Sequence, residues 1–162
     1  MTADAPTTRD SFRRRLQPIS TAGPVSTLPD RVWTEEDWER IRRGYRARDM
    51  DQKWNVFAEG DVLFMHRSWT GRGIYEVSFA PVAGGGRKIV SAVVETDPER
   101  YRRTDDAYDC LMMEMIISAI VLGEPATELR SRFGELNAGK SSRNNLHTGP
   151  AEHGALGPRS DS

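Results

Sequence analysis

Residues 53–80, KWNVFAEGDVLFMHRSWTGRGIYEVSFA, carry the decision about the fold. Three runs within it, Lys53–Ala58, Val62–Ser68 and Gly73–Ala80, are rich in aromatic and β-branched residues, and Glu59-Gly60-Asp61 and Trp69-Thr70-Gly71-Arg72 join them. Short, glycine-bearing joints of this kind suit hairpins. A fourth run, Arg87–Glu95, follows the tip Gly84-Gly85-Gly86, so the spacing predicts a four-stranded antiparallel meander. Period two then sorts the side chains into faces. Trp54, Val56, Leu63, Met65, Tyr75, Val77 and Phe79 form an apolar set that should meet helices, and Lys53, Asn55, Phe57, Phe64, His66, Ser68, Ile74, Glu76 and Ser78 form a mixed set left for solvent or a partner.

Arg67 breaks the pattern, because its parity puts a permanent charge on the apolar side. Such an arginine must pair with a carboxylate, reach solvent or hold an anion. The structural reading pairs it with Glu114, the one acid inside the apolar run Cys110–Leu122, and the functional reading uses its planar guanidinium on an anionic ligand.

Outward from the meander, Thr34 is placed to cap a helix with Glu35, Glu36 and Asp37 in its first turn and Trp38, Ile41 and Tyr45 along one face. Downstream, Asp105 to Leu122 reads as a long apolar helix stopped by Gly123 and Pro125, and a short helix is expected over Pro125–Phe133. The acids Asp105, Asp106 and Asp109 suit the N-terminal end of the long helix through its dipole. Residues 1–31 hold five arginines and four prolines among small polar residues, and residues 137–162 are rich in Gly, Ser and Asn, so both ends are expected to be disordered around a single domain at 32–136.

Composition narrows the function. At 162 residues, 37% hydrophobic and 29% charged, the chain suits one modest core. A net charge of -1 provides no global field for nucleic acid, which is not expected as a partner. The 13-residue run Cys110–Leu122 is too short to cross a bilayer, no apolar leader follows the early arginines, and the single cysteine fits a reducing, cytoplasmic setting. Cys110 with His66, His147 and His153 cannot build a cysteine-rich zinc site, so neither a metal nor a cofactor is expected.

Several motifs yield to plainer readings. Gly134–Ser141 matches G-x-x-x-x-G-K-[ST], but no buried strand delivers it and only 21 residues follow, so the context of a phosphate loop is missing. Met112, Met113 and Met115 read as core, and Cys110 as a buried free thiol rather than a nucleophile. His66 with Ser68 and Glu76 could be drawn as a triad, yet no spacing supplies an oxyanion hole, so His66 stands as a weak catalytic candidate.

The strings Met50-Asp51-Gln52-Lys53-Trp54 and His66-Arg67-Ser68-Trp69-Thr70-Gly71-Arg72-Gly73-Ile74-Tyr75 resemble a small uncharacterised bacterial domain associated with ADP-ribose and macro-domain neighbourhoods. The resemblance covers about residues 50–79 and implies a compact module that occurs alone or fused to others.

The sequence therefore predicts an α+β domain: a four-stranded antiparallel sheet with a short N-terminal helix and a long apolar C-terminal helix on one face. Its expected function is noncatalytic binding or regulation, recognising a protein partner or an anionic small molecule through Arg67, Lys53 and Trp69. The alternative is a small enzyme on a phosphate-bearing or ADP-ribosylated substrate, with His66 as acid or base and Arg67 as anion clamp.

Overall fold

The computed structural model describes residues 7–8, 11, 16–48, 52–101, 105–132 and 134–135. The alternating stretch folds as its periodicity requires. Counted with the strands that precede them, the four runs are β3 (Trp54–Glu59), β4 (Val62–Arg67), β5 (Gly73–Pro81) and β6 (Arg87–Glu95), paired antiparallel in sequence order. Gly84, Gly85 and Gly86 all take positive φ, of 91°, 110° and 94°, in the turn between β5 and β6. Side chains rarely adopt that region, so the triple glycine is what the turn demands.

The sheet has six strands rather than four. β1 (Ala22–Pro24) pairs with Val93–Glu95 and β2 (Val32–Trp33) with Arg87 and Lys88, both on the outer side of β6. Ala22-Gly23-Pro24 has poor strand propensity, and an edge is where a proline without an N–H is tolerated. Residues 16–31, expected to be part of a disordered arm, thus join the domain, and Val25 is buried in its core. Residues 137–162 lie outside the described residues, as does all of the Gly134–Ser141 string beyond Glu135.

α1 (Glu35–Arg42) starts at the expected cap: Thr34 Oγ1 accepts from Asp37 N–H at 2.9 Å, and Asp37 returns a carboxylate oxygen to Thr34 N–H at 3.3 Å. It buries Trp38 and Ile41. Tyr45 falls past its end and instead bridges Val56, covering the free edge of β3.

The expected long apolar helix is replaced by two shorter pieces. α2 (Asp106–Met115) is capped by Asp105, whose side chain accepts from Tyr108 N–H at 2.8 Å, and a π-helical segment, Ile116–Val121, continues it. The change falls where β-branched residues crowd the chain, which lowers α-helix propensity. Arginines from other elements secure the segment: Arg31 bonds Ser118 Oγ at 3.0 Å and both Glu124 carboxylate oxygens, and Arg40 donates to Leu122 O at 2.6 Å. Among the described residues no helix is long and apolar enough to cross a membrane. Residues 127–132 are helical, as expected for the short last helix, and 134–135 are helical too, beyond its expected end at Phe133, which is itself outside the described residues.

The apolar face of the sheet is buried throughout, with Trp54, Val56, Leu63, Met65, Tyr75, Val77 and Phe79 in one core with Met112, Met113 and Met115. Two bulges adjust it. Ile74 is the extra residue opposite Met65 and His66 and joins the core, whereas Val90 is extra opposite Ser78 and Phe79 and stays half-exposed. The mixed face is less open than its composition implies. Phe57 and His66 are buried there: Phe57 stacks on Phe64 with centroids 5.0 Å apart, and the segment around Gln17 and Ile19 packs over Gly73 beside the imidazole.

Candidate functional site

The start of β3 and the end of β4 lie side by side, with Trp54 opposite Arg67, and the bond from Ser68 N–H to Lys53 O at 2.8 Å extends the ladder one step further. Beyond it the chain turns through residues 68–72. Arg67 N–H donates to Arg72 O and Gly71 N–H to Arg67 O, both at 2.9 Å, with Gly71 at φ 75° where a side chain would be strained. Trp69 sits at the tip of this turn and is 56% exposed, the most exposed large apolar side chain among the described residues. Lys53 Nζ lies 5.7 Å from the centre of its ring. The close approach of two strand ends brings Lys53 and Trp69 together.

Arg67 does not join them. Alternation turns it to the helix side, where its guanidinium lies 5.1 Å from the Trp54 ring centre. Burial pulls its pKa down, against the influence of Tyr101, Tyr108 and Tyr75. Nor is Glu114 its partner: burial pushes the Glu114 carboxyl up, and the cations acting on it are Arg132 and Arg31. Parity correctly marked Arg67 as anomalous but could not locate its surroundings.

His66 faces the other way and is buried, its Nδ1–H donating to Gly71 O at 2.8 Å. Because consecutive strand residues point to opposite faces, His66 and Arg67 do not converge on one substrate position. Ser68 Oγ donates to Gln52 O, so the imidazole Nδ1 and this hydroxyl serve different backbone carbonyls. The drawn triad is therefore not assembled through those two atoms. Cys110 is half-buried rather than buried, and its thiol is pushed up to about 11 by burial and by Glu114, so it is protonated at neutral pH.

A polar cluster that no motif announced lies beneath Arg67. Tyr101 O–H donates to the Tyr75 oxygen at 2.9 Å, and Tyr75 O–H donates to Asp109 Oδ1 at 2.8 Å, in a chain running into a fully buried carboxylate. Burial raises the pKa of Tyr75 and Tyr101, and the Asp109 charge raises them further. The helix dipole accounts for only part of what Asp109 does; its place on the buried side of α2, one turn in, gives it a second role. The arrangement ties α2 to the sheet.

Two open clefts lie elsewhere, one of about 320 Å³ beside Thr7, Arg42 and Arg43 and one of about 430 Å³ beside Leu28, Asp30 and Val90. Among the described residues no group of three or more His, Cys, Asp and Glu side chains is placed to hold a metal ion. Fold and site together define an α+β domain with a Trp–Lys pair displayed at one end of its sheet. Comparison with family models, with curated proteins and with solved structures finds no match to this chain.

Proposed function

We propose that this chain is a noncatalytic binding or regulatory module that recognises an anionic group, on a small molecule or a protein partner, at the tip carrying Trp69 and Lys53. One observation carries the reading: of four tryptophans, Trp33, Trp38 and Trp54 are at most 2% exposed, whereas Trp69 is 56% exposed beside a lysine. An indole left in water provides contact area at low entropic cost, and the ammonium beside it adds charge. Arg67 leaves this site and becomes a structural residue on the opposite face.

The test is a fluorescence titration with pyrophosphate in one arm and an acidic peptide in the other. A saturable change in tryptophan emission is expected in one arm, lost in Trp69→Ala and weakened about fivefold in Lys53→Ala, as an interaction of roughly 1 kcal/mol implies. An unchanged response in both variants would place binding elsewhere. Response in the first arm alone assigns a small anion, and in the second alone a protein segment.

A further inference from the structure

Beyond the β1 ladder to β6 and the buried Val25, residues 17–25 are bonded to the domain at two further places. At the first, Gln17 N–H donates to Gly71 O at 2.8 Å, Gly73 N–H donates to Gln17 O at 2.7 Å, and the Gln17 side-chain amide donates to Thr70 O at 3.2 Å. The Gly71 carbonyl therefore accepts from both this segment and His66 Nδ1–H. At the second, the Glu95 carboxylate, fully buried at the end of β6, accepts Ser20 N–H on one oxygen at 2.8 Å and Thr21 N–H on the other at 2.9 Å. Thr96 adds its N–H and its hydroxyl to Thr21 O, at 2.9 and 2.7 Å.

Between these contacts the segment buries little. Gln17, Pro18, Ser20, Thr21, Ala22 and Pro24 are exposed, and only Val25, at its far end, enters the core. Its seating therefore depends on polar bonds, and the strongest of these converge on one ionised acceptor. Glu95 also accepts Asp97 N–H at 3.2 Å, and the loop so held returns to the same turn where Arg72 Nη1 donates to Glu99 O at 3.2 Å. One carboxylate thus gathers two segments that both end on the turn carrying Trp69.

We propose that residues 17–25 form a releasable strap, held by Glu95, whose seating sets the conformation of residues 68–72 and so regulates the Trp69–Lys53 site; the regulatory role rests on the binding reading above. With the strap seated, the carbonyls of Thr70 and Gly71 are bonded and Trp69 is displayed beside Lys53. When it lifts, both carbonyls lose a donor and the turn gains freedom. Segments with few buried apolar contacts open locally while the core stays folded. Because strap and site share one turn, whatever favours the seated turn at the site also favours the seated strap.

The experiment compares the full-length wild type with Glu95→Ala, without ligand, by amide hydrogen exchange and by acrylamide quenching of tryptophan, which reads Trp69 because the other three are buried. Well below the unfolding transition, the amides of Ser20, Thr21, Gln17 and Gly73 should all exchange about tenfold faster or more in the variant. Those of Val56, Leu63 and Val77 should be unchanged, and the Trp69 quenching constant should shift. Acceleration confined to Ser20, Thr21 and Asp97, with Gln17, Gly73 and Trp69 unaffected, would overturn the proposal. Should Glu95→Ala unfold as a whole, Ser20→Pro removes one donor while leaving the carboxylate, and the amides of Thr21, Gln17 and Gly73 with the Trp69 quenching constant then decide. These readouts need no ligand, so they stand or fall separately from the pyrophosphate and peptide titrations that test the binding reading.

Discussion

The meander β3–β6 and the segment preceding it are both parts of one sheet, yet different forces hold them. The meander buries a continuous apolar face, with Trp54, Val56, Leu63, Met65 and Val77 each at most 1% exposed. The strap and β1 have an Ala-Gly-Pro strand and a set of backbone bonds, several directed at Glu95. Burial of apolar surface is written along a sequence as periodicity, whereas bonding to a distant carboxylate leaves no period. The difference also separates what should be globally cooperative from what should open by itself.

Substitutions can break this contrast, and the largest effect belongs to the meander. Trp54→Ala removes a ring that stacks on Tyr75 at 6.1 Å and carries Arg67, and the loss should be about 3 to 5 kcal/mol by denaturant unfolding. Asp109→Ala should cost about 2 to 3 kcal/mol, because the buried Tyr75 hydroxyl loses its acceptor. A loss below about 0.5 kcal/mol would show that this chain of hydroxyls is not part of what fastens α2 to the sheet.

Acid should discriminate the two regions next. Burial pushes the Glu95 carboxyl up, but the amides of Ser20, Thr21 and Asp97, with Arg100, outweigh it and hold the group below its usual 4.5. A folded pKa below the unfolded one means a contribution that is complete above the unfolded value and is lost as pH falls through the folded one. Strap protection should therefore fall away between about pH 4.5 and the lower folded value, and Glu95→Ala should lack this acid step. An identical acid response in the two proteins would remove Glu95 from the account.

Smaller effects sharpen the comparison further. Arg67→Ala and Glu114→Ala should be additive within about 0.5 kcal/mol in a double-mutant cycle, since the cations acting on Glu114 are Arg132 and Arg31. Trp69→Ala and Lys53→Ala should change stability by no more than about 0.5 kcal/mol, as substitutions at an exposed tip do. A large loss for either would recast the pair as structural.

What could be read from the chain follows the same division. Glu76 and Ser78 against Tyr75, Val77 and Phe79 alternate plainly, glycine-bearing joints mark the hairpins, and Thr34 with Asp37 announces its capping box, so the four meander strands and α1 are legible. β2 is two residues long and β1 contains both glycine and proline, so neither presents a strand signal. The passage from α2 to the π-helical segment depends on hydrogen-bond register, which Ile116-Ile117-Ser118 does not encode by polarity. At the site, the sequence groups Lys53, Trp69 and Arg67, and the meeting ends of β3 and β4 bring only the first two together. Arg67 was visible as an exception to parity, but Tyr101 and Tyr108 approach it from beyond the sheet, along a path no spacing describes.

Native-state hydrogen exchange of the wild type across low denaturant concentrations tests the central contrast most directly. Gln17, Ser20 and Thr21 amides should exchange through a local opening with little denaturant dependence, while Val56, Leu63 and Val77 should exchange only with global unfolding and its full slope. Equal protection and equal slopes in the two sets would contradict it, showing the strap and the meander to be one cooperative unit.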